Sequence, residues 1–498
     1  MPVKRLRKLI IAVLIAVFVS TPVSAHPRLD VGIESYTYNI VVSGLSGSFM
    51  AVPAPLPYRY VRSIYARDLG LDSLMHINEV TYHNGRFFIT NGPTIVVLDY
   101  DFNLIEEITG ITVDGTFQNF TVLDGIFVTH DGEIYAAEPM AERIVHLDAE
   151  LNLVRVLGRP EGIPLSDDFA YRPVKVAVDQ NGRIYVIANN IYEGIVELNP
   201  DGSFNRYFGV INIRYNLMDL FWRALRTPAQ RARMALWLPT SFTNLTVDPD
   251  GFVFATSADG DTDVALKKLN ARGENIMRMP TDDHHVGELV FESFIFGAPV
   301  GPSVMTHVHV TDFGVIYLLD RNRNRVFAYD SDGYLLFAFG GSGNREGLTQ
   351  TVTGMAVSEN TLVIADRGNQ SLEVFELTPY GRNVLTAARH QHNADWQTAA
   401  IYWRQVLDLN PHFQYAHLGL GRWYYRMGYY QQAAHHFQRA QNVAYFNRAY
   451  TRIRGAFLDR NFTAIIIGLG VIAAGIIAIR ATKSVRHKNR RELGGVAA

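Results

Sequence analysis

Residues 320–343 read DRNRNRVFAYDSDGYLLFAFGGSG, and the chain returns to that phrase: AERIVHLDAELNLVRVLGRP begins at Ala141 and EGIVELNPDGSFNRYFG at Glu193. Each copy is an alternating apolar run, a turn rich in Asp, Asn or Gly, and a second alternating run, the pattern of two antiparallel strands. A second phrase precedes each copy and can be aligned on its turn. It reads NGRFFIT from Asn84, DGEIYAA from Asp131, NGRIYVI from Asn181, DGFVFAT from Asp250, FGVIYLL from Phe313 and ENTLVIA from Glu359. Short apolar strands such as VKVAVD, TNLTVD and THVHVT lead into most of them. The glycine spacings are 47 (Gly85 to Gly132), 50 (Gly132 to Gly182), 69 (Gly182 to Gly251) and 63 (Gly251 to Gly314). Four short strands per unit at such periods predict propeller blades.

The fifth unit shows the blade best: THVHV inner, VIYLL second, RVFAY third and YLLFAF outer. Alternation places His307 and His309 on one face and Val308 on the other. One blade cannot bury both its faces, whereas six stacked in a ring bury them against one another. The sixth unit has TGMAV, LVIA and LEVFEL, and then PYGRN breaks the pattern. Its missing outer strand is expected from the start of the ring, YRYVRSIY at Tyr58–Tyr65. Closure by that strand removes two exposed edges.

The stretches DRNRNRVFAYDSDGYLLFAFGGSG and IADRGNQSLEVFEL resemble NHL repeats, over residues 58–377 as a whole. The fifth and sixth copies carry the resemblance most clearly. It implies a six-bladed, all-β propeller.

The chain has 498 residues, 48% hydrophobic and 19% charged, which excludes general disorder and leaves room for several domains. A formal net charge of -2 gives no sign of a nucleic-acid partner. There is no cysteine, so disulfides, thiolate metal sites and cysteine nucleophiles are excluded. The start, MPVKRLRK then LIIAVLIAVFV then STPVSA, predicts a signal peptide over 1–25, followed by a linker over 26–57. Near the other end, Phe462 to Ile479 is an uncharged run of 18 residues, about 27 Å as a helix. It predicts a transmembrane helix within 461–479 and a basic cytoplasmic tail over 480–498. Export directed by the signal peptide would leave the body outside the cell.

Two helical regions interrupt or follow the propeller, which is expected over 58–380. The first is an insertion at 212–238, whose Leu217, Leu220, Phe221 and Leu225 form a helical stripe. Its arginines suit either a solvated lid or an anionic lipid surface. The second covers 384–458. There Trp396, Ala400, Trp403 and Val406 recur 34 residues later as Tyr430, Ala434, Phe437 and Ala440. That period, its alanines and the Leu409-Asn410-Pro411 stop resemble tetratricopeptide (TPR) repeats, all-α units that hold a peptide or a partner protein. A following helix is expected to pack through Val443, Phe446, Tyr450, Ile453 and Phe457.

Inner strands of a propeller converge on the central channel. The aligned inner positions are Glu79, Gly125, Lys175, Asn244, His307 and Gly354. Glu79, Lys175, Asn244 and His307 form a ring suited to a sugar or another small polar ligand, with the glycines opening space. The alternative is a hydrated channel crossed by a Glu79–Lys175 ion pair. Some propellers resembling this one are calcium-dependent lactonases or lyases, and a calcium ion needs several carboxylate or amide oxygens. Only Glu79 and Asn244 supply them at aligned positions, so no metal or other cofactor is expected. Among other segments, DGDTD (Asp259 to Asp263), DDHH (Asp282 to His285) and GGSGNREG (Gly340 to Gly347) read as loops.

The whole arrangement is similar to bacterial membrane-anchored surface proteins that accompany carbohydrate transporters. It implies an extracellular binding or scaffold module with a protein or glycan partner. The sequence leaves the oligomeric state open, and a lactonase-like or lyase-like enzyme is the alternative.

Overall fold

The computed structural model describes residues 37–42, 49–166, 168–210, 241–257, 265–279, 286–288 and 302–494. The expected signal peptide, the insertion at 212–238, and the DGDTD and DDHH segments lie outside the described residues. The chain divides into two compact units, Met1–Tyr415 and Ala416–Ala498.

The first unit holds a six-bladed β-propeller. Blade one is Ile77–His83, Arg86–Asn91, Thr94–Asp99 and Leu104–Ile108. Blade two is Ile126–Val128, Ile134–Glu138, Arg143–Leu147 and Leu153–Leu157. Blade three is Arg172–Val178, Ile184–Asn189, Ile195–Leu198 and Phe204–Phe208. Blade four has, among the described residues, Phe242–Val247, Val253–Ser257 and Leu266–Leu269. Blade five is Met305–Val310, Ile316–Asp320, Arg325–Tyr329 and Leu335–Phe339. Blade six is Val352–Val357, Thr361–Asp366 and Ser371–Leu377, closed by Tyr58–Tyr65 running antiparallel to its third strand. The first strand of the ring thus completes the last blade, as the sequence predicts.

Strands such as Ile316–Asp320 and Leu335–Phe339 are buried along their whole length because both faces of each blade are covered. Phe88, Ile95 and Val97 of blade one meet Ile126, Ala136 and Val145 of blade two in one core. Tyr185 and Ile187 of blade three meet Leu245 and Ala255 of blade four in another. The seam at closure buries Ile64 with Leu372 and Val374 of blade six and Val80 and Ile89 of blade one. Each such Val, Leu, Ile or Phe side chain contributes about 1.5–3 kcal/mol by leaving water.

The repeated Asp and Asn residues belong to the turns. Asp148 Oδ1 accepts the backbone N–H groups of Glu150 and Asn152, and Asp330 Oδ1 those of Asp332 and Tyr334. Asn270 does the same for Arg272 and Glu274. The carboxylate or amide satisfies a tight turn from its own first residue, which is why the third strands end in Asp or Asn. The leading Asp of DRNRNR has a different task. Asp320 is fully buried and accepts from Ser303 Oγ at 2.7 Å, Val304 N at 3.0 Å and Asn322 N at 2.8 Å. It pins the loop that enters its own inner strand. Asp366 holds Gln350 N and Thr351 N in the same way in blade six. Asn324 takes a left-handed conformation (φ 51) and donates to the carbonyls of Thr349 and Gln350, tying blade five to the loop of blade six.

Part of the segment read as a linker is structured. Thr37–Val42 and Phe49–Pro53 form a hairpin that adds to the outer strand of blade five, through Thr37 opposite Phe339 and Tyr38 opposite Ala338. Tyr38 donates to the buried Glu288, which also pairs with Arg323 at 2.7 Å and with Arg325.

Five helices follow the propeller among the described residues: α1 (Pro379–His392), α2 (Trp396–Leu409), α3 (Gln414–Arg426), α4 (Tyr430–Arg439) and α5 (Val443–Gly494). The PYGRN break is the start of α1. Thr378 caps it by accepting Gly381 N at 3.1 Å, and Pro379 needs no hydrogen bond there. Gly381 lies so close to the closing segment that a Cβ would meet the Pro57 carbonyl oxygen at 2.2 Å. Helices α1 and α2 belong to the propeller's unit. Asn410 at the end of α2 donates to Asn39 Oδ1 at 2.8 Å, and Tyr415 donates to Asp330.

Ala400, Trp403, Val406, Ala434 and Phe437 are all buried, in keeping with the 34-residue pattern. The expected stripe on α5 holds only in part, with Phe446 and Ile453 half-buried. Val443, Tyr450 and Phe457 are exposed, and α5 packs instead through the fully buried Ala449 and through Tyr445, stacked 5.2 Å from Phe437. A small residue at the crossing lets the helices close, and that outweighs the more apolar stripe beside it. Among the described residues one helix, α5, is long and apolar enough to cross a membrane.

Candidate functional site

The inner strands carry a feature absent from the sequence pattern. In blades one, three, four, five and six the pairing with the second strand slips by one residue just before the ring position: Ile77/Glu79, Pro173/Lys175, Phe242/Asn244, Met305/His307 and Val352/Gly354. A β-bulge at one level turns the strand and re-aims the next side chain, here into the channel. The bulged residues stitch neighbouring blades. Asn78 donates to Leu123 O at 2.6 Å, Thr243 to Met305 O at 2.6 Å and Thr353 to Ile77 O at 3.2 Å.

The four polar ring residues are brought together as one chain of contacts across the channel. Lys175 Nζ pairs with Glu79 Oε2, His307 Nδ1 lies 2.6 Å from Glu79 Oε1, and Asn244 Nδ2 lies 3.4 Å from His307 Nδ1. Glu79 is 3% exposed and Lys175, the most open of the ring, 16% over its side chain. Burial opposes the charge on Glu79, yet Lys175 and then His307 outweigh it and hold the carboxyl below its ordinary value. His307 Nδ1 is the group that faces Glu79 Oε1, which is itself buried from solvent.

The two ring glycines do not open space. A Cβ on Gly125 would meet Val174 O at 2.6 Å and Lys175 Cα at 3.0 Å, and one on Gly354 would meet Val80 N at 2.8 Å and Glu79 Cα at 3.0 Å. They are glycines because the neighbouring inner strands approach backbone to backbone, bringing Lys175 and Glu79 far enough in to meet.

Above the ring the channel widens into a cavity of about 420 Å³. Thr81, Phe127, Thr246 and His309 line it two residues beyond the ring, and His83 and His130 line it as well. Val308 packs in the blade core, so the two faces expected for blade five hold. Burial drives the His309 imidazole down to about 4, with His307 adding to the shift. Burial and then His130 also lower His83, whose Nε2 is buried without a partner.

Sequence reasoning passed over this second tier, although it sits at the same alternation as the ring. It also passed over Asp124, one residue before Gly125. Asp124 accepts from Asn78 Nδ2 at 3.1 Å, and Asn78 also accepts from Arg367. Burial pushes Asp124 up, against the pull of Lys175 and Arg367. GGSGNREG is a loop between strands, with a bridge between Ser342 and Thr349. Among the described residues no group of three or more His, Asp or Glu gathers as a metal site.

No protein-family model and no curated protein matches the sequence. Among solved structures, a streptogramin B lyase is similar with a TM-score of 0.40 at 11% identity, over 64% of this chain and 98% of that one. Virginiamycin B lyase from Staphylococcus aureus gives 0.39 at 10% identity, over 64% of this chain and 100% of that one. A protein provisionally named a gluconolactonase gives 0.39 at 11% identity, over 65% and 94%.

Proposed function

We propose that the protein is a membrane-anchored, extracellular binding module whose propeller channel captures a small, hydroxyl-rich ligand such as a carbohydrate. The convergence of Glu79, Lys175, Asn244 and His307 in the lining of one cavity carries this reading. Lys175, with one of its three N–H groups on Glu79, and the hydroxyls of Thr81 and Thr246 supply complementary groups. Phe127 in the wall offers an apolar face to the C–H side of a sugar ring. The helical region, with its TPR-like spacing, would hold the protein partner beside a carbohydrate transporter.

The second reading is a lactonase-like or lyase-like enzyme. The carboxylate–imidazole contact of Glu79 and His307 in a cavity favours it. Against its calcium-dependent form, the Lys175 ammonium sits on the carboxylate that such a cation would need.

Thermal unfolding of the protein with a panel of oligosaccharides, cell-wall fragments and calcium separates the two. A saturable rise in Tm with a glycan, abolished by Asn244→Ala or Phe127→Ala, supports capture, because a ligand of the native state must stabilise it. A rise with calcium alone, reversed by chelator, would favour the enzyme. No shift with any glycan would count against capture.

A further inference from the structure

The second unit carries an unusual charge balance. Between Ala416 and Asn461 there are seven arginines and a single carboxylate, Asp459. One acid cannot neutralise seven guanidiniums, so this unit is strongly basic in a chain whose net charge is -2. The basic residues are not spread evenly over it in space. Helix α5 first packs along α4 through Tyr445 and Ala449, and then Arg452 reaches the Tyr425 side chain near the end of α3. The α3–α4 turn therefore lies level with Arg452, and it presents Arg426, Met427 and Tyr429. Met427 is 56% exposed and Tyr429 52%.

The continuity of α5 fixes how far that turn stands from the apolar run. From Arg452 to Phe462 is about 15 Å along the helix at 1.5 Å per residue. Phe457, 60% exposed, and Arg460 fall inside the last 8 Å or so, the depth of a headgroup layer. Arg426, Arg452 and Arg454 lie just outside it, within about one Debye length of a charged surface. Aromatic and arginine side chains at that depth are the composition that anchors a membrane interface.

We propose that this end of the helical unit binds the headgroups of anionic phospholipids. Within the headgroup layer the Arg460 guanidinium takes lipid phosphates beside Phe457, while Arg426, Arg452 and Arg454, just outside it, are drawn to the anionic surface. The proposal rests on reading α5 as a membrane span. It gives the unit a fixed seat on the bilayer, beyond tethering by the span alone.

The test uses the full chain in nanodiscs of phosphatidylcholine, with and without phosphatidylglycerol, followed by hydrogen exchange over residues 423–430 and 450–458. Each arginine near an anionic surface gains about fivefold in affinity. Exchange in both segments should therefore slow at least about fivefold when phosphatidylglycerol is present. The combined variant Arg426→Gln, Arg452→Gln, Arg454→Gln should lose that protection, and the corresponding Arg→Lys variant should keep it. Equal exchange in both discs, or protection that survives the Gln variant, would overturn the site while leaving the span intact. Protection confined to native-membrane particles would overturn it in favour of a protein partner. Extraction of the protein by alkaline carbonate would overturn the span, and the lipid site with it.

Discussion

Single residues at the channel floor set its charge. The Glu79–Lys175 pair is buried, so removing one partner should cost far more than removing both. We expect Glu79→Gln to lose about 3–5 kcal/mol of stability in urea unfolding, because the Lys175 ammonium is left without its counter-ion. Adding Lys175→Met should recover most of that loss, and a double-mutant cycle measures the coupling. His309 gives a separate pH signature. Its folded pKa of about 4 lies below the ordinary 6.5, so the unfolded chain binds the extra proton first. The neutral imidazole is fully compatible with the fold above pH 6.5, and stability falls as the pH drops from there towards 4. We expect roughly 2–3 kcal/mol to be lost between pH 7.5 and pH 4.5 through this group. His309→Gln should flatten that part of the profile. The depressed Glu79 acts lower down: its contribution is present above the ordinary carboxyl value of 4.5 and is lost as pH falls through its folded pKa.

At the scale of the element, the repeated phrase is a set of fastenings rather than a site. Asp320→Ala leaves Ser303 Oγ and the amides of Val304 and Asn322 without their acceptor in a fully buried place. It should destabilise blade five by about 3 kcal/mol or more, read as a lower urea midpoint. The half-buried turn acceptor Asp148, equally prominent in the sequence, should cost only about 1 kcal/mol on change to Ala. The pattern of turns and strands was legible because alternation and turn chemistry are local. The bulges before Glu79, Lys175, Asn244 and His307 were not, because a bulge is a property of the pairing between two strands. The ring glycines were misread for the same reason: only the neighbouring backbone shows that Gly125 and Gly354 mark close approach.

Across the whole molecule, closure of the ring and the apolar run of α5 are separable. Removing the chain through Tyr65 deletes the outer strand of blade six and uncovers Leu372 and Val374. We expect such a truncation to aggregate, whereas ending the chain at Asn461 should leave a folded body that fractionates as soluble protein. Fractionation and sedimentation check both. The helices after the propeller show the limit of reading by period. The spacing of 34 located buried Ala400, Trp403, Ala434 and Phe437 correctly, yet α1 and α2 join the propeller's unit through contacts such as Asn410 with Asn39. Those partners are separated by 371 residues, and no sequence window contains both.

The sequence by itself determined the six blades, the strand that closes them, the ring of Glu79, Lys175, Asn244 and His307, and the apolar run near the C-terminus. Each of these follows from local chemistry: alternation for a half-turn strand, Asp, Asn and Gly at tight turns, and a length matched to a bilayer. Tertiary structure alone decided which ring atoms meet, how deep the cavity is, what the glycines are for, and which face of α5 is buried. These depend on the distance between backbones far apart in the chain, and packing sets that distance only once the ring has closed.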